Sequence, residues 1–350
     1  MPIRKPPQND EQLDLFSAIF SDVSNRDTRE TMEFPFLSLS KKPRFKPIHY
    51  SSPNGTRVMV SGGEPHGIAS IFDYDLIIWL LSQIRHSINR GEKVSRRIQF
   101  NRHSYLRDVR KHSSGDEYKR LERSIARLKN TTITTTIRAE REVVMFSWIE
   151  FARIVRDEKG RFCKAEVVIP EWLFDAVKNK KLVLSINRDY FLLTSGIERW
   201  LYRLLKKSAG NQVTGWSWKI DHLHERSGTT QQRKYFAREI RKIVSSGKLL
   251  DYKLQLKEQG GSPYLHAVAE KPTRHMHVAA RPKSASSSGL RLRTTTFEEA
   301  KALAPSHDVY WLHQKWLTFN EGRESTIKNS DAAFLAFCKT HAQKNPVPNR

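Results

Sequence analysis

Residues 229–269 read TTQQRKYFAREIRKIVSSGKLLDYKLQLKEQGGSPYLHAVA, and their hydrophobic spacing changes once, after Ser246. Before that point Phe236, Ile240, Ile243 and Val244 recur at i, i+4, i+7 and i+8, while Lys234, Arg238 and Arg241 repeat two residues behind them. At about 100° per residue that offset is about 200°, so the basic stripe faces away from the apolar one. The spacing predicts a helix from Gln231 to about Ser246, capped by Thr230. Beyond it, Leu249–Lys257 and Tyr264–Ala269 flank a glycine pair and read as a hairpin. Helix followed by hairpin is winged-helix order.

Upstream, Ser195-Gly-Ile-Glu198 is a capping box that opens a helix through Lys207, and Ile220–Arg226 reads as a short helix. An earlier stretch has the same order. Ser70-Ile-Phe-Asp73 opens a helix with Tyr74, Ile77, Ile78, Leu81 and Ile84 on one side. A short helix follows around Tyr105–Arg110, and Ser114-Gly-Asp-Glu117 opens another running to about Lys129. Thr131–Ile137, Val143–Val155 and Phe162–Ile169 read as strands, the last two joined by Glu158–Arg161. The architecture repeats although the letters do not. The expected fold class is therefore α+β, with two tandem winged-helix domains at 51–185 and 186–270.

Residues 1–50 are rich in Pro, Ser and charge with one apolar island, Leu13–Phe20, and read as a disordered arm. Residues 271–296 read as a basic linker. Residues 297–350 read as a small C-terminal helical segment, with helices at 307–319 and 330–342. Its Trp311, Trp316, Phe319, Phe334 and Phe337 read as core packing.

Composition narrows the partners. Among 350 residues, 61 Lys and Arg stand against 37 Asp and Glu, a formal net charge of +24. A polyanion is expected, and nucleic acid leads because neutralising phosphates releases condensed counterions. No run approaches the roughly 18 to 20 apolar residues that span a bilayer, and no signal-peptide core is visible. A cytoplasmic protein is expected. Cys163 and Cys338 give neither a disulfide framework nor a zinc spacing.

Between Gln231 and Lys248 six basic residues accompany one acidic residue, Glu239. An ordinary solvated face mixes both signs, so this one points to DNA. Gln231, Gln232, Arg233 and Arg238 are expected to read bases, with Lys234, Arg241 and Lys242 on phosphates. The earlier helix repeats the device, with Leu121, Ile125 and Leu128 apolar and Lys119, Arg120, Arg123 and Arg127 basic. Arg138 and Arg141 in the first unit, and Lys253 and Lys257 in the second, are the expected wing contacts.

Catalysis is not expected. His222-Leu-His224 and His275-Met-His277 superficially fit a metal-assisted tyrosine nicking enzyme. Their charged surroundings suit solvated histidines better. There is no Gly-x-x-x-x-Gly-Lys-Ser/Thr loop, and Ser61-Gly-Gly63 reads as a turn. No metal or cofactor is expected.

Two stretches, LVLSINRDYFLLTSGIERWLYRLLKKSAG at 182–210 and MEFPFLSLSKKP at 32–43, resemble the plasmid replication initiator protein A family of bacteria. The likeness covers most of residues 10–270. It implies winged helices that bind repeated origin sequences, opening of the duplex with the host initiator, recruitment of the replicative helicase, and plasmid copy control. It also allows a homodimer through the first winged-helix domain. A second motif, Gln12-Leu13-Asp14-Leu15-Phe16, is similar to the pentapeptide that binds the bacterial sliding clamp. In that use Leu15 and Phe16 enter an apolar pocket and Gln12 bonds at its rim. The alternative is that Leu13–Phe20 docks on its own domain. Two competing functions are a winged-helix transcriptional repressor and a His-metal nicking initiator.

Overall fold

A computed structural model describes residues 14–270, except 22, 112, 113, 140, 211 and 213, and beyond them scattered residues of 292–344 that include one long helix. The chain divides into two compact units, Met1–Arg274 and His275–Arg350.

The larger unit starts with a stretch that is woven into the core. Strand β1 (Leu15–Ala18) alternates outward and inward, sending Phe16 and Ala18 inside. It is followed by β2 (Arg26–Thr28), α1 (Arg29–Glu33), β3 (Ile48–Ser51) and β4 (Arg57–Gly62). Met32, Phe36, Leu37 and Ile48 are buried along the way. This corrects the expected disordered arm over residues 14–50. These elements run only three to six residues, too short to show a hydrophobic period, and they are fixed by long-range packing. The chain through Ser61-Gly62 is the end of β4 and not a turn.

Helix α2 (Asp75–Asn89) is apolar on every side over Leu76–Leu81, and those residues and Ile84 are all buried. A helix of that kind can only sit inside a core. Then come β5 (Arg97–Asn101), α3 (Arg102–Asp108) and α4 (Gly115–Asn130). Ser114 accepts from the Glu117 amide, as its capping box requires. Next are β6 (Thr131–Thr135), β7 (Val144–Ser147), β8 (Phe151–Arg156) and β9 (Phe162–Val168). The single strand expected over Val143–Val155 is broken, because Trp148 and Ile149 turn fully into the core. That break sends β7 and β8 to different sheets, with orders β3-β4-β6-β7 and β1-β5-β9-β8.

Helix α5 (Glu171–Lys178) and β10 (Val183–Ser185), the latter paired with β2, lead to α6 (Gly196–Ser208). The capping box at Ser195 and Glu198 is formed. The rest is β11 (Trp216–Lys219), α7 (Ile220–Ser227), α8 (Arg233–Ser246), β12 (Tyr252–Gln259) and β13 (Ser262–Ala269). The sheet order is β11-β13-β12.

Two sets of elements thus share one topology. Helix α2, β5, α3, α4, β8 and β9 correspond in order and in strand pairing to α6, β11, α7, α8, β12 and β13. In each, the last hairpin strand lies between its partner and the strand that precedes two helices. The β6–β7 ribbon is an insertion in the first set, and it pairs with β4.

One hydrophobic cluster runs from Phe16 to Ala267 and passes through both sets, so the boundary expected at 185/186 has no break in the core. Two arginines one turn apart on α6 reach across it. Arg203 meets Asp27 at 2.7 Å, and Arg199 meets Asp75 on α2. Lys111 joins Asp75 at 3.3 Å. Although burial opposes its charge, Tyr105 and Asp75 push the Lys111 ammonium above its usual range.

In the smaller unit, helix α9 (Ser330–Lys344) buries Phe334 and Cys338 against Trp316, whose ring centre lies 5.5 Å from that of Phe334. Burial pushes the Cys338 thiol up to about 11. Trp316 and Phe334 pack as expected, whereas Phe319 is exposed. Trp311 and the expected linker up to residue 291 lie outside the described residues.

Candidate nucleic-acid interface

Helix α8 is held by Phe236, Ile240 and Ile243, all buried, with the Trp200 ring edge-on to Phe236 at 6.0 Å. Burial of each such side chain contributes about 1.5–3 kcal/mol. The opposite edge is free. Lys234, Arg238 and Arg241 are exposed, and none of them pairs with an acid among the described residues. Tyr235, also exposed, lies beneath two of these charges, 4.9 Å from Lys234 Nζ and 5.4 Å from Arg238 Cζ. Cation–π attraction keeps both cations on one side of the helix.

Other expected contacts on this element differ. Arg233 is tied to Asp221 of α7 at 2.5 Å, and Lys242 to Glu239 at 3.1 Å. Their charge is therefore locally compensated. The helix begins at Arg233, with Gln232 rather than Thr230 at the cap position. Gln231 and Gln232 are exposed just before it, and the Thr229 hydroxyl accepts from the Gln231 amide at 3.2 Å. His224 Nε2 donates to the Gln231 carbonyl at 2.8 Å. That bond fixes where the two glutamines leave the α7–α8 turn. In the following hairpin, Lys253 and Lys257 of β12 are exposed as expected. Partial burial, with Lys257 nearby, holds the neighbouring His266 imidazole below its usual range.

The equivalent helix α4 is a different surface. Leu121, Ile125 and Leu128 are buried as expected. Arg127, however, clamps Asp73 with two hydrogen bonds of 2.8 and 2.6 Å, and those bonds lift its pKa. Arg120 is paired with Glu117, and Glu122 with Arg156 of β8 at 3.0 Å. Lys119 and Arg123 remain exposed without an acidic partner among the described residues. An arginine stripe at the right offset can be claimed by an acid 54 residues away, which no local pattern reveals.

Arg138 and Arg141, the contacts expected on a hairpin of the first unit, lie elsewhere than on the hairpin equivalent to β12–β13. Arg138 sits on the inserted β6–β7 connection, where its guanidinium stacks 4.1 Å over Trp172, donates to the Trp172 carbonyl and lies 3.5 Å from Glu30. It is a packing residue. Arg141 is exposed on the same insertion. The hairpin equivalent to β12–β13 is β8–β9. There Lys159 and Lys164 are exposed, while Arg153, Arg156 and Arg161 are paired with Glu166, Glu122 and Asp157. The turn Glu158–Arg161 marks this hairpin in the sequence, and the alternation of Ile98 and Phe100 in RIQFN, residues 97–101, is the signal that finds its neighbour β5.

His222 and His224 lie two residues apart on helix α7, about 200° around its axis, so their imidazoles do not converge. His275 and His277 lie outside the described residues. Among the described residues there is no group of three or more His, Cys, Asp or Glu placed to hold a metal, and no helix long and apolar enough to cross a membrane.

Gln12 and Leu13 of the clamp-like peptide also lie outside the described residues. Asp14 is exposed, Leu15 is 48% exposed, and Phe16 is 8% exposed beside Ile98 in a parallel β1–β5 pairing. The island Leu13–Phe20 docks on its own domain wherever it is described.

A family model described as replication initiator protein A matches residues 26–254. A putative replication protein of Wigglesworthia glossinidia brevipalpis is 30% identical over 234 residues, covering 64% of this chain and 82% of that relative. Among solved structures, domains 2 and 3 of RctB align with a TM-score of 0.51 at 10% identity, over 69% of this chain and 98% of that one. A second structure of the same RctB domains gives 0.45 at 12% identity, over 69% and 96%. The first likeness is one of fold: a mixed arrangement of helices and sheets.

Proposed function

The chain belongs to the replication initiator protein A family, and from that premise we propose that it starts plasmid replication by binding repeated sites in origin DNA through two winged-helix modules. The first module is α2 with β5, α3, α4 and the β8–β9 wing; the second is α6 with β11, α7, α8 and the β12–β13 wing. Helix α8 enters the major groove, with Arg238, Gln231 and Gln232 toward bases and Lys234 and Arg241 toward phosphates. Lys253 and Lys257 extend the contact along the backbone. Helix α4, with Lys119 and Arg123, and the wing lysines Lys159 and Lys164 add a second, weaker contact.

One observation carries the reading: the uncompensated edge of Lys234, Arg238 and Arg241 opposite the buried edge of Phe236, Ile240 and Ile243. Unpaired, hydrated cations on a rigid helix lose little when they meet phosphates and gain the released counterions. The compensated charge of α4 supports a division of labour in which the second module reads sequence and the first one aligns.

Opening of the duplex and recruitment of the host initiator and helicase complete the proposal, which assigns the chain binding and no bond-breaking step. Recruitment of the sliding clamp through Gln12–Phe16 requires β1 to leave its sheet. Its place at the sheet edge, with β5 as the one neighbour, is what allows that.

Footprinting the purified protein on the origin region of its own replicon tests the proposal. Regularly repeated protection, lost in an Arg238→Ala variant, is expected. Protection confined to a promoter, with replication of the origin unaffected by the protein, favours the repressor instead.

A further inference from the structure

The segment from Ser38 to Pro47, SLSKKPRFKP, carries Lys41, Lys42, Arg44 and Lys46 and no acid. It is fixed from both sides. Toward the first module, the Ile68 amide donates to the Arg44 carbonyl at 2.7 Å, and the Ser38 amide to the Ala69 carbonyl at 3.0 Å. Toward the second, Arg44 donates from Nη1 to the carbonyl of Gly228, in the turn between α7 and α8. It also donates to the Lys46 and Pro47 carbonyls, at 2.8 and 3.2 Å.

Two glycines of the second module let the chain come this close. A Cβ on Gly196 would sit 2.0 Å from the Leu39 carbonyl oxygen. Gly228 has φ +59°, and a Cβ there would fall 2.8 Å from Pro35. No side chain fits at Gly196 without moving Leu39, or at Gly228 without moving Pro35 and Ile48 on either side of the segment.

With Arg44 spent on backbone carbonyls, Lys41, Lys42 and Lys46 are left exposed, and none forms an ion pair with a described residue. Phe45 is exposed between them. The segment and the turn that leads into α8 share a cavity of about 390 Å³, with Leu39, Arg44, Phe45 and Lys46 on one wall and Thr230 and Gln231 on the other. Gln231, which the proposed function turns toward bases, thus shares this cavity with Lys46.

We propose that Ser38–Pro47 is a preset phosphate clamp, in which Lys41, Lys42 and Lys46 hold the DNA backbone next to the bases read by α8. The proposal rests on the reading of α8 as the DNA-contacting helix. The segment is held by backbone bonds before DNA arrives, so little ordering entropy opposes the contact.

Salt dependence tests it. Binding of the full chain to a random-sequence duplex is measured against salt for the wild type, a Lys41→Ala/Lys42→Ala/Lys46→Ala variant, and a control Lys93→Ala/Lys180→Ala/Lys181→Ala variant. Melting curves confirm that all remain folded. Each phosphate contact accounts for about 0.9 of the slope of log K against log salt, so the clamp variant should lose about 2 to 3 from it, and the control none. An unchanged slope in the clamp variant, while Lys234→Ala/Arg238→Ala/Arg241→Ala lowers it, overturns the clamp and leaves α8 as the DNA helix. A slope unchanged in both removes the clamp together with the α8 reading. Loss of binding to anionic vesicles without loss of duplex binding assigns the lysines to a membrane and likewise overturns the clamp.

Discussion

Arg199 of α6 donates from Nη1 to Oδ1 of Asp75 on α2, and their side chains are 3% and 0% exposed. The pair joins the first helix of one repeat to the first helix of the other. Arg199 also donates to the Leu193 and Phe191 carbonyls, at 2.7 and 2.8 Å, so its donors are well used.

Removing one partner of this pair leaves a buried charge under-compensated: Asp75 keeps only Lys111 at 3.3 Å, and Arg199 keeps only its two carbonyls. Arg199→Met is expected to cost about 3–5 kcal/mol in urea unfolding. Asp75→Leu/Arg199→Met should cost less than the two single changes summed, because neither member of the pair then faces an empty place, although Lys111 loses its acid in the double variant as in Asp75→Leu alone. Strict additivity would show that the pair does not couple the repeats.

Arg127 separates a structural role from a DNA role. Its two hydrogen bonds to buried Asp73 predict that Arg127→Ala costs about 1.5–3 kcal/mol of stability and leaves duplex affinity at the wild-type value below the melting range. Arg123→Ala should do the reverse, weakening DNA binding with a stability change within about 0.5 kcal/mol. Titrations paired with melting curves check both.

Acid sensitivity follows from Glu166, which accepts from Arg97 at 2.7 Å and Arg153 at 2.5 Å in the first sheet. Burial favours the neutral acid, but the two guanidiniums outweigh it and hold the carboxyl below its usual range. A pKa lowered by folding contributes stability that is present above the unfolded value of about 4.3 and is lost as pH falls through the folded one. The gap between urea midpoints at neutral pH and below pH 4 should shrink in Glu166→Gln. A gap of wild-type size would remove Glu166 and its two arginines from the acid response.

Strand β1 separates folding from recruitment. Phe16→Ala should cost about 3–5 kcal/mol because the ring is in the core. Leu15→Ala, on the outer face, should leave the melting temperature unchanged. Plasmid copy number is therefore informative only in Leu15→Ala, where a fall supports the clamp-like peptide and wild-type copy number argues against it.

The elements legible in the sequence were those with an internal period or a cap. Helices α4, α6, α7 and α8 and the β12–β13 hairpin announced themselves through Ser114, Ser195 and the spacing of Phe236, Ile240 and Ile243. What was not legible depends on distant partners. Strand β1 exists because β5 pairs with it, and β7 separates from β8 because Trp148 and Ile149 are drawn inward. The same division holds at the surface. The exposure of Lys234, Arg238 and Arg241 followed from their phase against the apolar stripe. The capture of Arg127 by Asp73, of Arg138 by Trp172 and Glu30, and of Arg233 by Asp221 did not, since each acid or ring arrives from another element. The cationic segment Ser38–Pro47 was hidden for a related reason: without Gly196 and Gly228 in view, nothing showed that it lies beside α8.

The salt dependence of binding to origin DNA by wild type and by Lys234→Ala/Arg238→Ala/Arg241→Ala bears most directly on the role of α8. A wild-type protein touching about six to ten phosphates should give a slope near −5 to −9, and the triple variant one shallower by about 2 to 3 with its sequence preference lost. A variant that keeps both the slope and the preference would contradict the assignment of α8 as the helix that meets DNA.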